Sequence, residues 1–168
     1  MKDRFFHRAR VRAPLAVAWD VFTNHERIGE FTNTPMQIVT PGKPDRNGLG
    51  CVREMETFGW KIVEIVNYWE PHKLFGYHIL GGTTVTHHQG IVRFFPTPEQ
   101  GTEWVYDMQN VPTEGSIVQA KAAGYQDWQT FLYTGFRHYM ADLEAECERR
   151  AATTVVPAFP LSVGERGV

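Results

Sequence analysis

The sequence predicts an α+β fold: a curved antiparallel sheet of about seven strands around a long C-terminal helix, with two short helices after the first strand and a cavity between sheet and helix. Three observations predict it. Residues 4–12 alternate in polarity, the span from Pro35 to Pro112 reads as six strands separated by turn signals, and residues 116–150 carry an apolar stripe at helical spacing.

In the first segment Arg4, Arg8, Arg10 and Arg12 share one parity and Phe5, His7, Ala9 and Val11 the other, as in a half-buried strand. Pro14 suits a first helical position, and Leu15, Ala18, Trp19 and Phe22 recur at helical spacing. Asn24 closes this helix or caps a second short one through Phe31. The strands that follow are punctuated by PGKPDRNG, Phe58-Gly59, residues 70–73, Gly81-Gly82 and PTPEQG. With no helical stretch between them, antiparallel pairing is expected. Ser116 and Gln119 have the spacing of a capping box. The helix they open buries Ile117, Ala120, Gly124, Trp128, Phe131, Leu132, Gly135, Tyr139, Leu143 and Cys147, with Gly124 and Gly135 as possible kinks. Residues 1–150 read as one domain, and 151–168, without helical periodicity, as a loose tail.

Composition narrows the function. Aromatic residues make up 13% of the 168 residues, and large rings line cores and ligand pockets alike. A net charge of −2 and a pI near 6.4 speak against nucleic-acid or anionic-membrane partners. No apolar run is long enough for a membrane span, and the first residues lack the apolar core of a signal peptide, so a cytoplasmic setting is expected. Cys51 and Cys147 form no metal-ligand spacing and no disulfide framework. His87-His88 point to opposite faces of a strand, so neither a metal nor another cofactor is expected.

Hairpin arithmetic turns the outline into a site. A two-residue turn at Phe58-Gly59 sets Thr57 against Trp60, Met55 against Ile62, Arg53 against Glu64 and Cys51 against Val66. The other face pairs Glu56 with Lys61. A four-residue loop at 70–73 sets Val66 against Tyr77, and the Gly81-Gly82 turn sets Phe75 against His88. Across PTPEQG, Val92 meets Trp104 and Gly90 meets Tyr106. The concave face then carries Arg53, Met55, Glu64, Val66, Tyr77, Ile79, His88, Val92, Trp104, Tyr106 and Met108, with Trp128, Phe131 and Leu132 facing it from the helix. Trp69 and Phe95 fall on the outer face, a weak sign of a homodimer surface.

A mostly apolar, aromatic surface with a few convergent polar groups is the usual composition of a small-molecule site. Arg53 and Glu64 either satisfy each other or orient a ligand. His88 is either a hydrogen-bonded core histidine or a base, and His7 is read as structural.

The segments APLAVAWDVFTNHERIGEFT, GLGCVRE, VEIVNYWEPHKLFGYHILGG, HHQGIVRFFP and GTEWVY, in this order and spacing, resemble the START/Bet v 1-like superfamily. The resemblance runs over about residues 5–150 and is nearest to its polyketide cyclase/dehydrase and lipid-transport group. It implies a helix-grip fold with a hydrophobic cavity, but transfers no catalytic signature to numbered positions. Three functions are compatible with the residues. One is non-covalent binding of a lipid-like, polyketide-like or aromatic molecule. The second is a metal-free cyclase or dehydrase with Glu64 or His88 as base and Arg53 or Tyr77 stabilising an enolate. The third is a partner-binding module using the arginine stripe.

Overall fold

The alternation of the first segment dictates a strand with one wet and one buried face, and the rest of the sheet is built outward from it. The computed structural model describes residues 3–57, 59–80 and 84–154. Among them are the strands β1 (Asp3–Val11), β2 (Met36–Thr40), β3 (Val52–Thr57), β4 (Trp60–Glu70), β5 (Leu74–Ile79), β6 (Val85–Pro96) and β7 (Thr102–Pro112). The helices are α1 (Leu15–Thr23), α2 (Glu114–Ala122) and α3 (Trp128–Thr154), with a 3-10 turn at His25–Glu30. All strands join one curved antiparallel sheet in the order β1-β7-β6-β5-β4-β3-β2.

On β1 the arginine parity faces out and each guanidinium meets an acid. Arg4 pairs with Asp107 at 2.7 Å, Arg8 and Arg10 both pair with Glu103 at 2.7 and 2.6 Å, and Arg12 pairs with Glu148 at 3.6 Å. Pairs this exposed add little stability, but they neutralise the stripe. His7 takes the structural role expected of it, with Nε2 2.7 Å from Glu144 Oε1. Pro14 sits one position earlier than expected, as the N-cap of α1, and that helix buries Ala18, Trp19, Val21 and Phe22.

The β3–β4 register is the expected one, with Arg53 opposite Glu64 and Met55 opposite Ile62. Val66 also meets Tyr77 as expected, but by another route. The turn is tighter than 70–73, since Glu70 already pairs with Leu74, and a bulge between Val66 and Tyr68 restores the register beyond it. The bulge inverts the faces of the residues after it. Trp69 therefore turns inward against Trp19, ring centroids 4.9 Å apart, instead of lying on the outer face, and Tyr68 is half exposed in its place. Phe95 is outward, as expected.

Two further registers differ from expectation. Phe75 opposes Val92 rather than His88, because the β5–β6 connection is longer than a glycine turn; Gly81 and Gly82 themselves lie outside the described residues. Across the next hairpin Trp104 pairs with Phe94 rather than Val92, and Gly90 with Met108 rather than Tyr106. Both offsets are even, so every side chain stays on its expected face.

The long helix is two. Gly124 adopts φ +86°, a left-handed conformation that ends α2 after Ala123, and the Asp127 carboxylate accepts the Thr130 amide at 2.7 Å to start α3. Gly135 lies inside α3. The N-cap of α2 is Thr113, whose hydroxyl accepts from the Ser116 amide; Ser116 itself donates to the Thr84 carbonyl. Ile117 is exposed rather than part of the buried stripe. α3 runs past Arg150 to Thr154, and the remainder of the expected tail lies outside the described residues.

One glycine positions the site. Gly90 pairs with Tyr77, and a Cβ there would lie 2.8 Å from the ring carbons of Tyr77, so the ring rests on bare backbone. Gly90→Ala is expected to lower the unfolding free energy by about 1–3 kcal/mol, read from urea denaturation. An unchanged midpoint would show that the ring moves aside without cost.

Candidate functional site

Strands β3 to β7 each present polar or aromatic groups to the inner face, and α3 faces them. Between lies a cavity of about 350 Å³, within the ~300–1,000 Å³ common for small-molecule pockets. Of the expected wall, Arg53, Met55, Glu64, Tyr77, Ile79, His88, Val92, Tyr106 and Met108 line it, as do Trp128 and Leu132 from α3. Val66, Trp104 and Phe131 are buried but do not line it. Trp104 packs on Phe22 of α1 at 4.8 Å, and Phe131 packs among Tyr125, Trp60 and Trp128. Exposed Asn33 and His138, with half-buried Thr34 and Asp142, mark a mouth between the 31–35 loop and α3.

At the β3–β4 side of the wall sits a buried ion pair. Arg53 Nε and Nη2 both donate to Glu64 Oε2, at 3.0 and 2.8 Å, and Nη1 donates to His25 Nδ1 at 2.8 Å. Since a guanidinium only donates, His25 Nδ1 accepts, so its Nε2–H donates to the Asn47 carbonyl at 3.0 Å. His25 is therefore neutral in this geometry; burial, then the Arg53 charge, holds it well below its ordinary 6.5. Burial pushes the Glu64 carboxyl up, opposed by Arg53. Burial alone would lower Arg53, but the Glu64 charge keeps it above its ordinary value. The guanidinium carbon also lies 4.6 Å from the Tyr77 ring centroid, a cation–π contact.

The next groups along the sheet are neutral. The Tyr77 and Tyr106 hydroxyls share a short hydrogen bond, and Tyr106 donates to Met108 Sδ at 3.4 Å. Burial raises both phenols, and Tyr139 from α3 likewise, so none ionises near neutral pH. His88 is pushed down to about 3, first by burial and then by Arg53, His78 and His87.

Sequence reasoning missed several wall residues. Asn110 continues the inward parity of Trp104, Tyr106 and Met108, a signal that was readable. Tyr139 belongs to the helical stripe but was not assigned to the cavity. His25, in a 3-10 turn far from Arg53 in sequence, carries no periodic signal.

The sequence model of the family described as polyketide cyclase / dehydrase and lipid transport matches residues 4–132. The chain belongs to that family. Structures related to it in fold include a START superfamily protein from Mycobacterium smegmatis, with TM-score 0.66 at 10% identity over 90% of this chain and 98% of that one. Another is the di-domain ARO/CYC BexL from the BE-7585A biosynthetic pathway, with TM-score 0.68 at 19% identity over 89% of this chain and 50% of that one. At such identities the likeness shows the fold alone. No curated protein matches the sequence.

Two predictions follow from the ion pair and the buried imidazoles. Arg53→Met strands a buried carboxylate and is expected to cost about 3–5 kcal/mol, while Arg53→Met with Glu64→Leu recovers at least half of it; chemical denaturation of the cycle decides. A double variant as unstable as the single one would sink the pairing argument. Separately, His25 and His88 have folded-state values below the 6.5 of the free imidazole. Their contribution is full above about pH 6.5 and falls as the pH drops, by up to ~1.4 kcal/mol per unit each. Glu64, with its raised value, opposes this only as the pH rises above the ordinary carboxylate range. Urea midpoints that fail to decline between about pH 7 and 5 would contradict the assignment.

Proposed function

We propose that the protein binds a mostly apolar aromatic, lipid-like or polyketide-like molecule in this cavity, without covalent attachment. The observation that carries the reading is a ligand-sized cavity walled by aromatic and aliphatic side chains in which the Arg53–Glu64 ion pair is internally neutralised. Arg53 spends three N–H groups on Glu64 and His25. Two N–H groups remain, enough for a carbonyl, whereas a carboxylate would bring a second negative charge beside Glu64, so the ligand is uncharged at that point. This refines the expectation that Arg53 orients a carboxylate or carbonyl towards the carbonyl.

A second reading is enzymatic, in keeping with the cyclase/dehydrase members of the family. Both bonds from Arg53 go to Glu64 Oε2, leaving Oε1 without a protein partner among the described residues on a cavity-lining carboxyl whose affinity for protons is raised by burial. Such a group suits removal of a proton next to a carbonyl, with Arg53 or Tyr77 beside the developing enolate. His88, held neutral down to about pH 3, is the weaker base.

Both readings meet in one experiment. Titration with the neutral probe N-phenyl-1-naphthylamine is expected to give saturable binding that quenches Trp60 and Trp128, which line the cavity. Native mass spectrometry before and after organic extraction then identifies any co-purified compound. Absence of saturable probe binding would defeat the binding reading. With an identified compound, conversion that survives Glu64→Gln would defeat the enzymatic one.

A further inference from the structure

Across the Tyr77 strand from the ion pair, the wall holds two polar side chains that the binding reading has not used. His88 on β6 and Asn110 on β7 are direct cross-strand partners on the inner face, which places their Cβ atoms about 5 Å apart. They are 8% and 2% exposed, and both line the cavity. His88 Nδ1 and Asn110 Nδ2 are buried and find no hydrogen-bond partner among the described residues. They do not bond each other. A buried polar atom left unpaired costs free energy, and the neighbouring Tyr77 and Tyr106 hydroxyls on the same wall pair with each other.

We infer that His88 and Asn110 form a subsite for a neutral hydroxyl of the bound molecule, a phenol or enol, which accepts from Asn110 Nδ2–H and donates to His88 Nδ1. This deepens the binding reading and rests on it. A hydroxyl fits because it donates and accepts from one atom, as the pair requires when His88 carries its proton on Nε2. A carboxylate does not fit: the imidazole stays neutral, and the guanidinium of Arg53, on the other side of Tyr77 in strand order, is already engaged by Glu64. The Tyr77 ring, tilted against the His88 ring with centroids 5.2 Å apart, packs directly on the imidazole.

The test compares naphthalene, 1-naphthol and 1-naphthoate by equilibrium dialysis against the full chain and against Asn110→Leu and His88→Phe. The expected result is a ten- to a hundredfold preference for 1-naphthol over naphthalene, the worth of about one or two hydrogen bonds to unpaired groups. The preference falls towards one in both variants, and 1-naphthoate binds more weakly than 1-naphthol. Thermal unfolding without probe checks each variant, and where one fails to fold cooperatively the other carries the comparison. Equal affinity for naphthalene and 1-naphthol, tighter binding of 1-naphthoate, or a preference that survives in the variants would overturn the subsite. Any of these results alongside saturable binding of N-phenyl-1-naphthylamine leaves the cavity standing; loss of that binding as well removes both.

Discussion

The Arg53–Glu64 pair constrains nearly everything around it. Two opposed charges on the inner face of a sheet must be satisfied there, because burying either alone costs several kcal/mol. The pairing requires β3 and β4 to meet in one register, recruits His25 from the 3-10 turn as a neutral acceptor, and fastens that turn to Asn47 through the imidazole. The guanidinium then lies against the Phe75 and Tyr77 rings of β5. One buried cation thus ties the 3-10 turn and the strands β3, β4 and β5 to a single geometry.

The cavity lies between the inner face of the sheet and α3. α3 docks at one side through Tyr133 and Phe136 on Phe5, and at its far end through Arg150 to Asp20 at 2.6 Å. Leu132, Gly135, Phe136, Tyr139 and Met140 line the cavity from the helix side. The break at Gly124 separates α2 from α3, and Trp128 at the start of α3 packs against Trp60 in the wall.

Much of the site was readable because parity is robust. Strand residues alternate with period two, so a hairpin misjudged by an even number of residues moves partners without moving faces. That is why His88, Val92, Tyr106 and Met108 reach the expected wall although Phe75 meets Val92 and Phe94 meets Trp104. The odd insertion at the β4 bulge is the exception, and it turned Trp69 from the surface into the core. Nothing in the local pattern distinguishes a bulge from a tighter turn until the partner strand is in place.

The chain by itself determined the order of the strands, their inward parity outside the β4 bulge, the β3–β4 register and the opposition of Arg53 to Glu64. These depend on local alternation and on a two-residue turn. Only the tertiary structure decided the rest. It brought His25 to Arg53, set Trp104 beneath α1 instead of in the cavity, split the long helix, and left His88 Nδ1 and Asn110 Nδ2 buried without hydrogen-bond partners among the described residues. Those outcomes turn on packing between elements distant in sequence, where space and unpaired hydrogen-bonding capacity are set by neighbours that no periodicity names.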